Sequence, residues 1–326
     1  MSCFVGIDVS KAKLDVALLL PNEKFRSKVF ANDAQGFKAL LQWLEFHASE
    51  DAGLPHLCME ATGIYHESLA CFVHDQGLAV SVVNPLTVKR FAQVHRQRNK
   101  TDQVDARCLA LFCRDTHPEL WEAPTHSVRA LQALVARLDT LQAIRQAERN
   151  RLDVAHDSVG ESIRRVIAEL DATITQIKAL IERTIDDDPD LRKRASLLQS
   201  IPGLGERTIP QLLAYIGRPE RFRSVKALIA YSCLAPVIRQ SGTSLNKHQG
   251  THPMGHQDLK RLLYFPAMVA ARYNPLVKIF WDRLKDQHKP GKVIVVACMH
   301  KLLAIAYGVL RSGQPFDVDH IKPHNA

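Results

Sequence analysis

Asp102 and Asp105 stand three residues apart in Asn99-Lys100-Thr101-Asp102-Gln103-Val104-Asp105-Ala106-Arg107. With Thr101 or Asp102 as N-cap, that spacing puts both carboxylates on one face of a helix. Two like charges so placed repel unless a cation lies between them. Two more acids, Asp8 and Glu60, each close an apolar, β-rich run, Cys3 to Ile7 and His56 to Met59. Hard divalent cations take oxygen ligands, so Asp8, Glu60, Asp102 and Asp105 form a candidate set for Mg²⁺ or Mn²⁺, as one ion or as two roughly 4 Å apart. Such ions would activate a nucleophile and stabilise a leaving oxygen. Taken singly, each acid has an ordinary explanation: a cap, an exposed helix charge, a strand-end residue. Their joint placement points to chemistry. A basic run of Lys89, Arg90, His95, Arg96, Arg98 and Lys100 leads into the Asp pair and suits a phosphate-binding rim, although a solvated helix face explains it equally well. In the second half of the chain Ser241 precedes Gly242 and lies near Arg239. A hydroxyl nucleophile with a cation for a phosphate oxygen is therefore a second candidate, while most lone Ser-Gly pairs are loop residues.

The elements that must position the acids can be read from periodicity. Residues 3–8, 13–20 and 24–31 read as three strands, the second closed by Pro21-Asn22. Phe37, Leu40, Leu41 and Leu44 recur at helical spacing over 34–47. A strand over 56–60, a helix over 66–76, a strand over 78–83 stopped by Asn84-Pro85 and further helices complete the order β-β-β-α-β-α-β-α. Short turns predict an antiparallel meander, and a right-handed helical crossover lays the fourth strand parallel to the first. That order is ribonuclease-H-like, an α/β fold in which Asp8 and Glu60 become neighbours at strand C-terminal ends. Asp15, mid-strand, is expected at an edge or facing solvent, outside the ligand set.

From Thr125 to Ile185 the chain is charged and helically spaced, with Leu131, Leu134, Leu138 and Leu141, then Ile163, Ile167, Leu170, Ile174, Ile177 and Ile181. Long antiparallel helices or a coiled coil follow, able to dimerise the protein or to pack on themselves. Asp186-Asp187-Asp188-Pro189-Asp190 reads as a helix stop and linker. The expected organisation is thus a ribonuclease-H-like domain over 1–124, a coiled-coil region over 125–190 and a mainly α domain over 191–326. In the last, Leu197 to Gly205 followed by a helix from Glu206 to Ile216 has the form of a helix-hairpin-helix, whose Gly203 and Gly205 would let the backbone approach DNA. His248, His252 and His256 recur every four residues, but Gly250, Pro253 and Gly255 break any helix there, so they read as loop residues rather than a zinc face. The apolar run from Val293 to Leu310 reads as a buried core helix.

A net charge of +9 points to an anionic partner, nucleic acid above all, because a positive field gains free energy by releasing the counterions of a polyanion. A basic cytosolic enzyme with a solvated face is the bland alternative. Seven cysteines without a CxxC pair indicate neither a disulfide framework nor a zinc ribbon and suit a reducing cytoplasm. No signal-like segment and no membrane span are expected.

Together these pieces resemble the DEDD-type transposases of the bacterial insertion-sequence family whose members are guided by a bridge RNA, a family related to pilin-gene DNA invertases. The resemblance covers nearly the whole chain through Gly6-Ile7-Asp8-Val9-Ser10-Lys11, Met59-Glu60-Ala61-Thr62-Gly63, Asn99 to Ala106, Ile201 to Gly205 and Leu234 to Gly242. It implies a RuvC-like N-terminal domain in which Asp8, Glu60, Asp102 and Asp105 bind Mg²⁺, and a C-terminal transposase domain in which Ser241 is the nucleophile. It also implies donor and target double-stranded DNA, a structured noncoding bridge RNA, and a dimer or tetramer whose composite sites join domains of different subunits in the bacterial cytoplasm, at the nucleoid. Where family members commonly carry Ser-Lys before a Gly, this chain has His252-Pro253-Met254-Gly255; Lys247, Lys260 and Arg261 are the basic residues that could replace that Lys. The alternative function is a RuvC-like junction nuclease that cuts by hydrolysis with Ser241 a bystander. A sugar-kinase or actin-like ATPase would need a second Gly-rich phosphate loop, which the sequence lacks, and a non-catalytic nucleic-acid-binding protein is the remaining class.

Overall fold

Alternating side chains set the first sheet. The computed structural model describes residues 3–47, 54–61, 65–94, 101–241, 245–251 and 255–318, with the backbone alone over 237–249. Strands β1 (Phe4–Val9), β2 (Lys13–Leu19) and β3 (Phe25–Ala31) form the meander, followed by α1 (Ala34–His47), β4 (His56–Glu60), α2 (Glu67–Asp75), β5 (Ala79–Val83), α3 (Pro85–Val94) and α4 (Asp102–Thr116). The sheet runs β3-β2-β1-β4-β5, with β1 antiparallel to β2 and parallel to β4. This is the expected order, and the crossover through α1 is what lays β4 beside β1.

Strand residues alternate between two faces. Val5, Ile7 and Val9 of β1, Leu14, Val16 and Leu18 of β2, and Leu57 and Met59 of β4 pack with Phe37, Leu40 and Leu44 of α1 and Leu69, Ala70 and Val73 of α2. The opposite face carries Phe4, Gly6 and Asp8 of β1 and Cys58 and Glu60 of β4; there Cys58 packs with Val88 of α3 and with Cys108, Leu109, Phe112 and Cys113 of α4. Gly6 is where α4 comes closest. A Cβ built on Gly6 would lie 2.0 Å from the Ala106 carbonyl oxygen and 2.4 Å from the Ala110 nitrogen, so only a glycine admits the helix backbone at this depth.

The chain divides into two compact units, Met1–Ala123 and Pro124–Ala326. The second opens with the long helices α5 (His126–Leu152) and α6 (Asp157–Asp187), then α7 (Pro189–Gln199), α8 (Ile209–Ile216) and α9 (Val225–Tyr231), the hairpin strands β6 (Pro236–Ser241) and β7 (Leu245–Thr251), and α10 (Gln257–Leu262), α11 (Tyr264–Tyr273), α12 (Pro275–Asp286) and α13 (Gly291–Ser312). The roots of α5 and α6, through Val128, Leu131, Val135, Ile181 and Ile185, share one core with α7 to α13. The acidic run from Asp186 does stop α6, but no linker follows: Asp188 caps α7, accepting from the Asp190 and Leu191 amides, and Pro189 opens that helix. α8 begins at Ile209 rather than Glu206, because the Thr208 and Ile209 amides first donate to the Gly205 carbonyl and close a turn. α13 is, among the described residues, the one helix long and apolar enough to cross a bilayer, and Cys298, Leu302, Leu303 and Ala306 along it are buried in the core. All seven cysteines are buried, and none forms a disulfide.

Gly6→Ala is expected to destabilise the full chain by about 1–3 kcal/mol or more, the range for forcing an extra methyl into a packed core. Gly205→Ala, whose Cβ meets nothing within 4 Å, should leave stability nearly unchanged. Chemical denaturation of both variants checks this; equal midpoints would mean that α4 does not depend on Gly6.

Candidate active site

The face of the sheet that Gly6 opens to α4 is also the acidic face. Asp8 follows Ile7, which pairs with Met59 across the parallel ladder, so Asp8 and Glu60 lie side by side on neighbouring strands. On its other flank Asp8 is paired directly with Asp15 of β2. Asp15 is 8% exposed and sits on an interior strand, which corrects its expected place at an edge or facing solvent. The period-2 pattern held the signal: Leu14, Val16 and Leu18 fill one face, so Asp15 must share the other with Asp8.

Helix α4 brings the remaining acids. Its cap is Thr101, whose hydroxyl accepts from the Val104 amide. Asp102 and Asp105 fall in the first turn, where the helix dipole favours negative charge. Lys13 ties the two elements together, its Nζ 2.7 Å from Asp102 Oδ2 and 2.9 Å from Asp15 Oδ2. The acids share one electrostatic neighbourhood. The Asp8 carboxyl is held above the ordinary carboxylate range by burial first, then by Asp102, Asp105 and Asp15, with Lys13 opposing. The buried Cys108 thiol is pushed up to about 11 by burial, then by Asp105 and Glu60.

Among the described residues, no three His, Cys, Asp or Glu side chains close around a single point tightly enough to enclose an ion. The arrangement explains this, because the Lys13 ammonium draws Asp102 toward Asp15. That ammonium is a cation standing between carboxylates. The donors are all oxygen, the set that suits a hard divalent cation rather than zinc or copper.

The serine lies in the second unit. Ser241 ends β6 and pairs with Leu245 of β7, so it stands at the turn end of a hairpin. For Ser241 and Arg239 the structure describes the backbone. At the base of the hairpin Pro236 pairs with Thr251, whose hydroxyl accepts from Lys260 Nζ at 2.5 Å. Arg261 is exposed and paired with Asp258. His248 lies in β7 and His256 caps α10, its Nδ1 accepting from the Leu259 amide, so neither is a plain loop residue. The His256 ring stacks 4.4 Å from Tyr215, whose hydroxyl donates to Asp139. This polar group anchors α5, α8 and α10, and the sequence alone gave no sign of it.

Lys89 and Arg90 are exposed on α3. His95, Arg96, Arg98, Lys100, Thr62, Gly63, Gly242, His252 and Pro253 lie outside the described residues. Gly203 and Gly205 lie in the turn between α7 and α8.

Two family models divide the chain between them. Residues 5–159 match the transposase model for DEDD, IS110-type proteins, and residues 195–282 match the transposase IS116/IS110/IS902 family. Both stretches are therefore those of a DNA transposase or recombinase, an enzyme of DNA strand exchange. The pilin gene-inverting proteins of Moraxella bovis and Moraxella lacunata are each 35% identical over 316 residues, 96% of this chain and 97% of theirs. An insertion element IS110 protein of Streptomyces coelicolor is 26% identical over 59% of this chain and 45% of its own length. The chain belongs to the IS110 family of insertion-sequence transposases. A solved T. thermophilus RuvC in complex with Holliday junction substrate matches 37% of the chain and 100% of its own at TM-score 0.27 and 13% identity; the fold rests on the strand order, not on that likeness.

Asp8 sets a pH signature. Its folded-state carboxyl binds a proton more tightly than the unfolded one, so its contribution to stability is complete at acid pH and is lost as pH rises through the raised value. Asp8→Asn is therefore expected to raise Tm at pH 7 in the presence of chelator, with the gain shrinking toward pH 4. Calorimetry at the two pH values is the check, and a lower Tm at pH 7 would contradict the assigned electrostatics.

Proposed function

We propose that this transposase cleaves and exchanges DNA strands with Ser241 as nucleophile and with Asp8, Glu60, Asp102 and Asp105 as the ligands of Mg²⁺ or Mn²⁺. The observation that carries the reading is the meeting of Asp8, Glu60 and the first turn of α4 on one face of the sheet, around a cation already supplied by Lys13. Bound there, the divalent ion would supply charge stabilisation to a phosphodiester in displacement. The protein's own groups do the rest. The Ser241 hydroxyl attacks phosphorus, a phosphoserine ester forms as the strand's O–P bond breaks, and the serine proton ends on the released strand-end hydroxyl. Because the ester conserves the bond energy, the reverse attack by a new strand end rejoins DNA without a nucleotide cofactor.

Nucleic acid is held by basic and glycine positions. Lys89, Arg90, Arg96, Arg98 and Lys100 precede α4, while Gly203 and Gly205 offer backbone amides in the manner of a helix-hairpin-helix, and Arg239, Lys260 and Arg261 flank the serine hairpin and its base. The resemblance to bridge-RNA-guided transposases supports a structured noncoding RNA that pairs with donor and target DNA, and the net charge of +9 suits two polyanionic partners. The α5–α6 hairpin supports a homo-oligomer. Val159 and Val166, one heptad apart on α6, are exposed beside half-buried Ile163 and Leu170.

Mixing protein, RNA, donor and target DNA is expected to give a covalent protein–DNA adduct that Ser241→Ala abolishes, with recombination falling roughly a thousandfold or more. Mg²⁺ should raise the Tm of the wild type but not of Asp8→Asn, and chelation should stop recombination. A Ser241→Ala variant that still recombines would end the covalent scheme, and cut products without rejoining would favour the hydrolytic nuclease. For the oligomer, Val159→Glu with Val166→Glu should lower the mass seen by light scattering with the helix content kept; an unchanged mass removes the hairpin from the interface.

A further inference from the structure

Helix α11 turns aromatic and apolar side chains outward. Phe265 and Tyr273 are 73% and 70% exposed, joined by Tyr264, Met268 and Val269. Five aromatic side chains are exposed among the described residues, and three of them lie on this helix. A patch of this kind marks a binding surface rather than scattered surface hydrophobicity. It adjoins the glycine turn. Gly203, with φ of 107°, sits so close to α11 that an added Cβ would be 2.6 Å from the Ala270 Cβ, while Gly205 faces open space. Turn and helix are thereby held as one body, and between them lies a groove of about 630 Å³ lined by Gly203, Gly205, Glu206, Arg207, Phe265 and Val269 among others.

The chemistry around the groove selects its occupant. The groove's own charged lining is Arg207 and Glu206, and from Gln257 to Asp286, the stretch that contains α11, the chain carries six basic residues, Lys260, Arg261, Arg272, Lys278, Arg283 and Lys285, against three acidic ones. Aromatic planes set among cations match a strand of unpaired nucleotides, which alternates flat bases with phosphates. In a duplex the base faces are already stacked on one another, so a side-chain ring meets one only at the cost of unstacking a step, whereas an unpaired strand offers its faces without that cost. Strand exchange requires such unpairing.

We propose that the groove between the Gly203 turn and α11 receives an unpaired segment of DNA strand, one base stacked on Phe265 and the adjoining phosphate beside Arg207 and the turn. This rests on the reading of the Gly203–Gly205 turn as a nucleic-acid contact. The Phe265 ring is exposed, so replacing it should not disturb the fold.

The test compares the full-length wild type with Phe265→Leu and Phe265→Trp for binding to a single-stranded DNA oligonucleotide, to the same sequence as duplex, and to the same sequence as RNA, by fluorescence anisotropy. Phe265→Leu is expected to weaken single-strand DNA binding roughly tenfold, the scale of one lost base stack, with duplex affinity unchanged and Phe265→Trp restoring the wild-type value. A bromouracil-substituted strand should photocrosslink to Phe265. Equal loss for single strand and duplex, or no loss at all with duplex binding intact, overturns the inference alone. Dependence on Phe265 confined to RNA reassigns the groove and overturns the DNA commitment, and dissociation of the oligomer by Phe265→Leu assigns the face to a second copy. Failure of the wild type to bind any DNA would overturn the underlying reading as well.

Discussion

The N-terminal unit depends on one close approach. Where β1 carries Gly6, the backbone of α4 comes near enough that a single methyl would overlap the Ala106 carbonyl. Everything acidic on that face follows from it. Two residues further along β1, on the same side of the sheet, stands Asp8; the parallel partner strand brings Glu60 beside it, and the antiparallel partner brings Asp15. Had α4 been held off by a side chain at position 6, the carboxylates of its first turn would stand farther from the strand ends. Backbone spacing, fixed by an absent side chain, therefore sets the scale of the site more firmly than any polar contact within it.

The contact that does hold α4 electrostatically is Lys13 with Asp102 and Asp15. Asp102 is exposed and the pair is accessible to solvent, so it adds little to stability on its own account. Its value is positional. Burial of a carboxylate and the like charges around it both raise the free energy of the folded chain, as the upward shift of Asp8, caused first by burial and then by Asp102, Asp105 and Asp15, records. Such residues cost stability, and a cost of this kind is a common exchange of stability for function.

How much of this could be read without coordinates varied with the type of signal. Strand order and the neighbourhood of Asp8 and Glu60 follow from period-2 runs and crossover handedness, because topology leaves few alternatives. The burial of Asp15 was missed, since a lone acid in a strand was judged by its own polarity rather than by the face its apolar neighbours leave to it. His248 reads as a loop residue although it lies in β7, because Leu245 to Thr251 is polar and lacks an apolar alternation to announce a strand. The Asp188 cap was hidden within a run of identical charges, where only the following proline distinguishes the capping residue. The Asp139–Tyr215–His256 group joins residues from three distant helices, and no local pattern encodes such a meeting.

Charge also limits how the acidic face can be used. Asp8, Asp15, Glu60, Asp102 and Asp105 bring five carboxylates to one face of the sheet, with the Lys13 ammonium between two of them, in a chain that is otherwise net positive. Two unit charges 4 Å apart near a protein surface interact by about 4 kcal/mol, so a phosphodiester brought to this face bare would meet repulsion from several directions. The exposed positive charges of Lys89 and Arg90 on α3 act at a distance and could not cancel a repulsion exerted at contact range. With the acidic face as the proposed reaction site, cations lodged among the carboxylates would reverse the local sign, which would give divalent ions a part in the substrate's approach as well as in its chemistry. On the same proposal Lys13 would have a second part: the ammonium that pairs with Asp102 and partly neutralises the cluster would give up that carboxylate to a doubly charged ion held there.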